Sequence, residues 1–235
     1  MNSKHGRSYP IAPIAVIAAH LVALPLFVAG CKASANAESR SKDADERLSH
    51  GQYEEAAALV EPVVRDQPGD WRAQYALGRA MMGQGKLEEA RRSLDRAYRL
   101  QPANEDIVMS LADCMAKQKD VKDAYQLLRA FGRDFRSWRA YLALSRVAED
   151  SGDPDTAATA AVDAIKVNEP LPGQRPSIEP YVRAADLAFR FGRESDGVRR
   201  LRQAYGIAPN DPRLNEALVA HNVERNKSTA VELWP

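Results

Sequence analysis

Cys31 is the residue whose setting most clearly implies chemistry. It follows Val28-Ala29-Gly30 at the end of an apolar run from Ile11 to Phe27, and a short basic stretch with Lys4 and Arg7 precedes that run. Basic, apolar and small-residue regions in that order are those of an export signal and its cleavage site. A thiol, a nucleophile, sits where the mature chain would begin. Other reactive residue types are sparse. Cys114 is the second of only 2 cysteines, so no internal disulfide framework is available. It falls in a helical pattern and reads as a small buried hydrophobe. Beyond the export segment the histidines are His50 and His221, far apart, and no metal site is expected. No G-x-S-x-G, H-E-x-x-H, Walker or G-x-G-x-x-G pattern occurs. Ser110 and Ser145 lie inside helical patterns without a base nearby in sequence. Glu54-Glu55 and Glu88-Glu89 lie at helix starts, where negative charge favours the helix dipole. No catalytic or cofactor-binding residue is assigned, and the chain reads as a non-enzyme.

The four residues Val28 to Cys31 resemble a bacterial lipobox. That resemblance implies a cleaved signal over residues 1–30 and lipid carried on Cys31, with everything after it on the exported side. A spanning anchor is the competing reading. Residues 11–28 number 18, at the short edge of a bilayer span, and include Pro13, His20 and Pro25, which suit a transient segment better. A buried core helix would show an amphipathic stripe, which is missing. Two or three acyl chains exceed the one-chain threshold of reversible attachment. Anchored rather than spanning is the expectation, on the cell membrane or outer membrane. Lys32 is not the aspartate associated with inner-membrane retention in many Gram-negative bacteria, which favours the outer membrane in a host that has one, with the chain then periplasmic.

Loss of residues 1–30 would remove Lys4 and Arg7 and no acid. The 33 Lys and Arg fall to 31 against 32 Asp and Glu, a formal charge of −1. Nucleic acid binding needs a basic surplus to displace counterions, so it is not expected.

Periodicity organises the rest. Gly51-Gln52-Tyr53-Glu54-Glu55-Ala56 returns 34 residues later as Gly85-Lys86-Leu87-Glu88-Glu89-Ala90, and Pro68 and Pro102 keep the same shift. Lys119 to Ala124 continues the series after another 34, Gly152 to Ala157 after 33, and Gly192 to Gly197 after 40. The last gap holds an insertion around Leu171 to Pro176. Five blocks in one frame indicate a repeat architecture. In the clearest block Ala73, Leu77, Ala80 and Met81 line one face of a first helix. Leu87, Ala90, Leu94, Ala97 and Leu100 line a second. A glycine turn joins the two, and a proline ends the unit.

Leu77-Gly78, Gly85, Ala90, Leu94, Ala97 and Pro102 resemble the signature positions of the tetratricopeptide repeat, or TPR. Ser145, Gly152, Ala157 and Ala164 match in the fourth block, and Ala185, Gly192, Ala204 and Pro209 in the fifth. Ala112, Ala124, Leu128 and Phe131 match less fully in the third, which has Arg136 where proline is expected. The resemblance implies an all-α solenoid of about five helix hairpins over residues 44–225. Its leading helix (roughly 43–49) is short and charged, and an amphipathic helix over Arg213 to Arg225 caps the far end. Residues 31–43 are expected as a lipidated N-terminus and flexible tether, and 226–235 as a tail.

The same resemblance implies a concave face built from the first helices. Its inward positions are Arg72, Tyr75 and Arg79 in one repeat, then Asp106, Met109 and Asp113. Arg139, Leu142 and Arg146 follow, then Glu179, Val182 and Asp186. The charged columns alternate basic and acidic. Two readings follow: the charges pair between neighbouring helices, or they hold a partner segment over the apolar floor of Tyr75, Met109, Leu142 and Val182. The candidate groove is Arg72, Tyr75, Arg79, Met109, Arg139, Leu142 and Arg146. Lys and Asn are absent from the positions that a carboxylate-clamp TPR uses, so a chaperone-tail receptor is not expected. The function implied is a lipid-anchored scaffold for protein partners at the bacterial envelope, similar to TPR lipoproteins of pilus and secretion assembly systems. The alternative is an envelope enzyme or a regulator of a cell-wall enzyme.

Overall fold

The computed structural model describes residues 36–168, 170 and 175–223. The export segment, Cys31 and the 226–235 tail lie outside the described residues. Among the described residues eleven helices follow one another, with no strand: α1 (36–49), α2 (Tyr53–Asp66), α3 (Trp71–Gly83), α4 (Leu87–Leu100), α5 (Glu105–Lys117), α6 (Val121–Asp134), α7 (Trp138–Asp150), α8 (Pro154–Val167), α9 (Glu179–Arg190), α10 (Glu194–Ile207) and α11 (Pro212–Ala220). From α2 to α11 each packs on the next, and the odd-numbered helices from α3 to α11 also touch in sequence. They therefore form one layer and the even-numbered helices the other.

Local chemistry sets the starts and stops. Four of the first helices, α3, α5, α7 and α11, open on an N-cap side chain that accepts backbone N–H groups, whereas α9 opens on Ile178 without one. Asp70 takes those of Arg72 and Ala73, Asn104 those of Asp106 and Ile107, and Ser137 that of Ala140. The turn within each hairpin needs one residue in the left-handed region. Gly51, Gly85, Gly152 and Gly192 supply it with φ between 69° and 75°, whereas the third hairpin uses Lys119 at φ 72°. Gly78 serves a different need. A Cβ there would sit 2.6 Å from Leu94 Cγ, so its absence lets α3 and α4 close together.

Leu77, Ala90, Leu94 and Ala97 are all buried, as their spacing predicts. Large residues recur down the core at Leu94, Leu111, Leu128 and Leu144. The insertion before α9 is closed at its base by Asn168, which is buried. Its amide nitrogen donates to the Ser177 carbonyl at 2.6 Å, and its amide oxygen accepts the Ser177 N–H at 3.1 Å.

Two boundaries differ from expectation. Residues 36–43 are not a flexible tether: they are the first turns of α1, and Ala37, Ser41, Ala44 and Leu48 are buried. The spacing of 4, 3 and 4 makes a stripe that packs against α2 and α3. Small residues within a charged, Ser-rich stretch gave it little apolar weight. At the other end α11 stops at Ala220 rather than near 225, because Asn222 turns left-handed at φ 52° and Val223 N–H returns to the Leu218 carbonyl.

Candidate protein-binding groove

The first helices place Arg72, Tyr75 and Arg79 on α3, Met109 on α5, and Arg139, Leu142 and Arg146 on α7. The structure divides this set into residues tied into the stack and residues left open.

Arg79 and Arg139 are tied. Arg79 Nη1 meets Asp45 Oδ1 of α1 at 3.2 Å, and its guanidinium lies 5.5 Å from the centre of the Tyr75 ring. Burial pushes the Asp45 carboxyl above its usual range while Arg79 pulls it back. Arg139 donates to Glu105 at 2.7 Å and to Asp106 at 3.3 Å, and Glu105 also accepts the Ser137 hydroxyl. Charge pairing between repeats therefore holds for these two residues. Each of these arginines reaches back to the preceding repeat rather than forward to the next. Asp113 instead accepts Lys117 of its own helix at 2.8 Å.

The backward reach recurs along the first helices. Arg79–Asp45, Arg139–Glu105, Arg183–Glu149 and Arg213–Glu179 all span 34 residues. Arg183, Glu149 and Arg213 escaped the sequence reading. A scan for Arg following an acid at the repeat length would have found them. Arg183 is the most enclosed, with its side chain 16% exposed, and also donates to the Ser145 hydroxyl and carbonyl. Its hydrogen bond holds the Glu149 carboxyl below the usual glutamate range.

Arg72 and Arg146 are open. Arg72 stacks 4.7 Å from the Trp71 ring centre and meets no carboxylate among the described residues. Arg146 is exposed at the edge of a hollow of about 580 Å³ between α7, α9 and α11, lined also by Val182, Asp186, Glu216 and His221. Asp186 there is occupied by Arg190 at 3.1 Å, and His221 stacks on Phe189 at 3.9 Å. A second hollow of about 490 Å³ lies between Tyr75, Arg79, Asp106, Met109 and Ser110. The Tyr75 hydroxyl donates to the Asp106 carbonyl at 3.4 Å and lies 3.2 Å from Ser110 Oγ. Tyr75, Met109 and Val182 each show part of their surface. Leu142 is only 3% exposed, and the little it shows lies in the floor of the 580 Å³ hollow.

No grouping of three His, Cys, Asp or Glu able to hold a metal occurs among the described residues. Cys114 is fully buried with its Sγ 3.5 Å from the Leu87 carbonyl, and burial pushes its thiol up. It packs as a small hydrophobe. His50 ends α1, with Nδ1 2.8 Å from the Glu46 carbonyl.

Two models of the tetratricopeptide repeat family match the sequence, over residues 42–105 and 82–146. The stack is a TPR solenoid. Its TPR fold is similar to that of TTC0263, a thermophilic TPR protein of Thermus thermophilus. Identity is 18% and the TM-score 0.55, over 80% of this chain and 100% of that one. It is also similar to MamA 41-end from Desulfovibrio magneticus RS-1, at 17% identity and TM-score 0.54, over 75% of this chain and 97% of that one. A tetratricopeptide repeat protein from Parabacteroides merdae gives 13% and 0.54, over 78% and 70%. At these identities the likeness is one of TPR fold. No curated protein matches the sequence. A TPR stack is an architecture for holding protein partners, and that level of function follows from the repeats themselves.

Proposed function

We propose that this chain is a lipid-anchored TPR scaffold on the exported side of a bacterial membrane, holding a protein partner along its concave face. The setting is an envelope assembly machine of the pilus or secretion type. The observation that carries the binding reading is the pair of open cations. Arg72 and Arg146 form no ion pair among the described residues and lie beside part-exposed Tyr75, Met109 and Val182, while Arg79 and Arg139 are neutralised within the stack. Guanidinium groups offer carboxylates a planar pair of donors, and aromatic surface adds contact at small entropic cost. A partner segment with acidic and apolar residues is the fit. The anchor rests on the Val28 to Cys31 pattern.

A photo-crosslinking amino acid at Met109, used in cells and read by mass spectrometry, should capture one stoichiometric partner. Arg72→Glu combined with Arg146→Glu should abolish that capture and leave the helical melt intact. Capture that survives the double reversal refutes the groove reading. For the anchor, Cys31→Ala should leave unprocessed precursor without lipid label. A mature-sized, membrane-bound Cys31→Ala product refutes lipidation.

A further inference from the structure

The even-numbered layer, opposite the groove, carries a second feature. Between α8, α9 and α10 lies a hollow of about 230 Å³. Its floor is made of short side chains, Ala158 and Thr159 of α8 and Ala184 and Ala188 of α9, which leave space close to the backbone. Its rim carries Arg193, Arg199 and Arg200. The one acid in the lining, Asp196, is already held by Arg199 at 2.6 Å. The lining therefore has three positive charges and one negative.

Arg200 is the unusual member. Of the four other half-buried arginines, three meet a carboxylate: Arg79 meets Asp45, Arg91 meets Asp120 at 2.7 Å, and Arg183 meets Glu149 at 2.7 Å, while Arg40 of α1 meets none among the described residues. Arg200 is also half-buried, yet its hydrogen-bond partner among the described residues is the neutral Gln203 amide oxygen at 3.1 Å. Burial and the neighbouring Arg199 both weigh against its charge. Arg193, across the rim, lies 5.8 Å from the Phe191 ring centre and meets no carboxylate among the described residues. Asp196 acts on Arg200 only from a distance, so a half-buried guanidinium with no carboxylate in contact, facing a hollow with two more cations on its rim, leaves room for a further anion.

We infer that this hollow binds a phosphate-type oxyanion, with Arg200 as its principal ligand and Arg193 and Arg199 closing over it. Several guanidinium forks around one small hollow suit a group that presents charge on several oxygens, as phosphate does. The anion could be free phosphate or the phosphodiester of a lipid headgroup, since both present the same oxygens. The site lies on the layer opposite the groove, and it stands or falls independently of partner capture there.

Calorimetric titration of the full chain in neutral detergent, at fixed ionic strength, tests this with two soluble probes. Inorganic phosphate represents the free anion, and glycerophosphoglycerol represents a lipid headgroup without its tails. Saturable binding of either is expected, and the tighter probe identifies the source. Arg200→Gln should weaken that binding about tenfold or more, the effect of losing a charge-assisted donor pair. Arg193→Gln, an exposed change, repeats the test should Arg200→Gln disturb the melt. Binding of neither probe overturns the inference. So does binding that both variants leave unchanged, which would place the anion elsewhere.

Discussion

Replacing Lys119 with glycine should stabilise the stack. Lys119 holds the left-handed turn between α5 and α6 at φ 72°, a position that four other hairpins give to glycine. Its N–H donates to the Ala116 carbonyl at 3.0 Å, and the following Asp120 N–H to Met115 at 2.9 Å, so the backbone geometry is fixed by the helix end. A left-handed residue with a Cβ costs about 1–2 kcal/mol. Glycine gives back about 0.5–1 kcal/mol through the greater freedom of its unfolded chain. The Lys119 side chain is exposed and has no ion-pair partner among the described residues, so its loss removes little. The net gain is about 0.5–1 kcal/mol, or about 1–4 °C in Tm for a domain of this size. Denaturant melts followed by circular dichroism measure it, with Gly85→Ala as the mirror change. Gly85 has φ 75° and open space around it, so its loss of stability would be conformational and not steric. A Lys119→Gly chain less stable than the parent, or two changes of the same sign, refutes the reasoning.

Gly78→Ala should cost about 1–3 kcal/mol by overpacking, since its Cβ would meet Leu94 Cγ at 2.6 Å; an unchanged melt would show that α3 and α4 can part freely. Leu48→Ala should cost about 2–5 kcal/mol if α1 is an integral helix, whereas a tether would tolerate it. Glu149→Gln should cost about 1–3 kcal/mol near neutral pH, because Arg183 and Arg190 both depend on that carboxylate. The folded Glu149 binds its proton less readily than the unfolded one. Its contribution is therefore present above the ordinary value of 4.5 and is lost as pH falls through the lower folded value. Parent and variant melts should converge in that acid window, and a constant difference would remove Glu149 from the explanation.

The helix hairpins were legible because two signals coincide in each repeat: an apolar stripe with helical spacing and a turn residue at a fixed offset. Even Lys119 could be placed, since the frame outweighs the residue. The start of α1 was not legible. Ala37, Ser41 and Ala44 are small, and only the faces of α2 and α3 reveal that they are covered. In the groove, sign alternation could be read from Arg72, Asp106, Arg139 and Glu179, but pairing direction could not. Whether an arginine reaches the repeat before or after depends on the tilt between layers, which no single helix encodes. Leu142 shows the same limit, because its position on the helix is inward while its exposure is set by neighbours.

The alternating columns carry a consequence for how such a chain can change length. Down the first column run Glu38, Arg72, Asp106, Arg139, Glu179 and Arg213, and down the other run Asp45, Arg79, Asp113, Arg146 and Asp186. Along the sequence the sign alternates at every step. Excise residues 86–119, which contain α4 and α5, and Arg72 comes to face Arg139 while Arg79 faces Arg146. Each such encounter sets like charges side by side, a repulsion of about 1 kcal/mol for charges about 4 Å apart in water. Removing two neighbouring hairpins restores the match. The array thus obeys a parity condition: gene duplication or deletion leaves it whole in even steps, and an odd step leaves a seam of like charge.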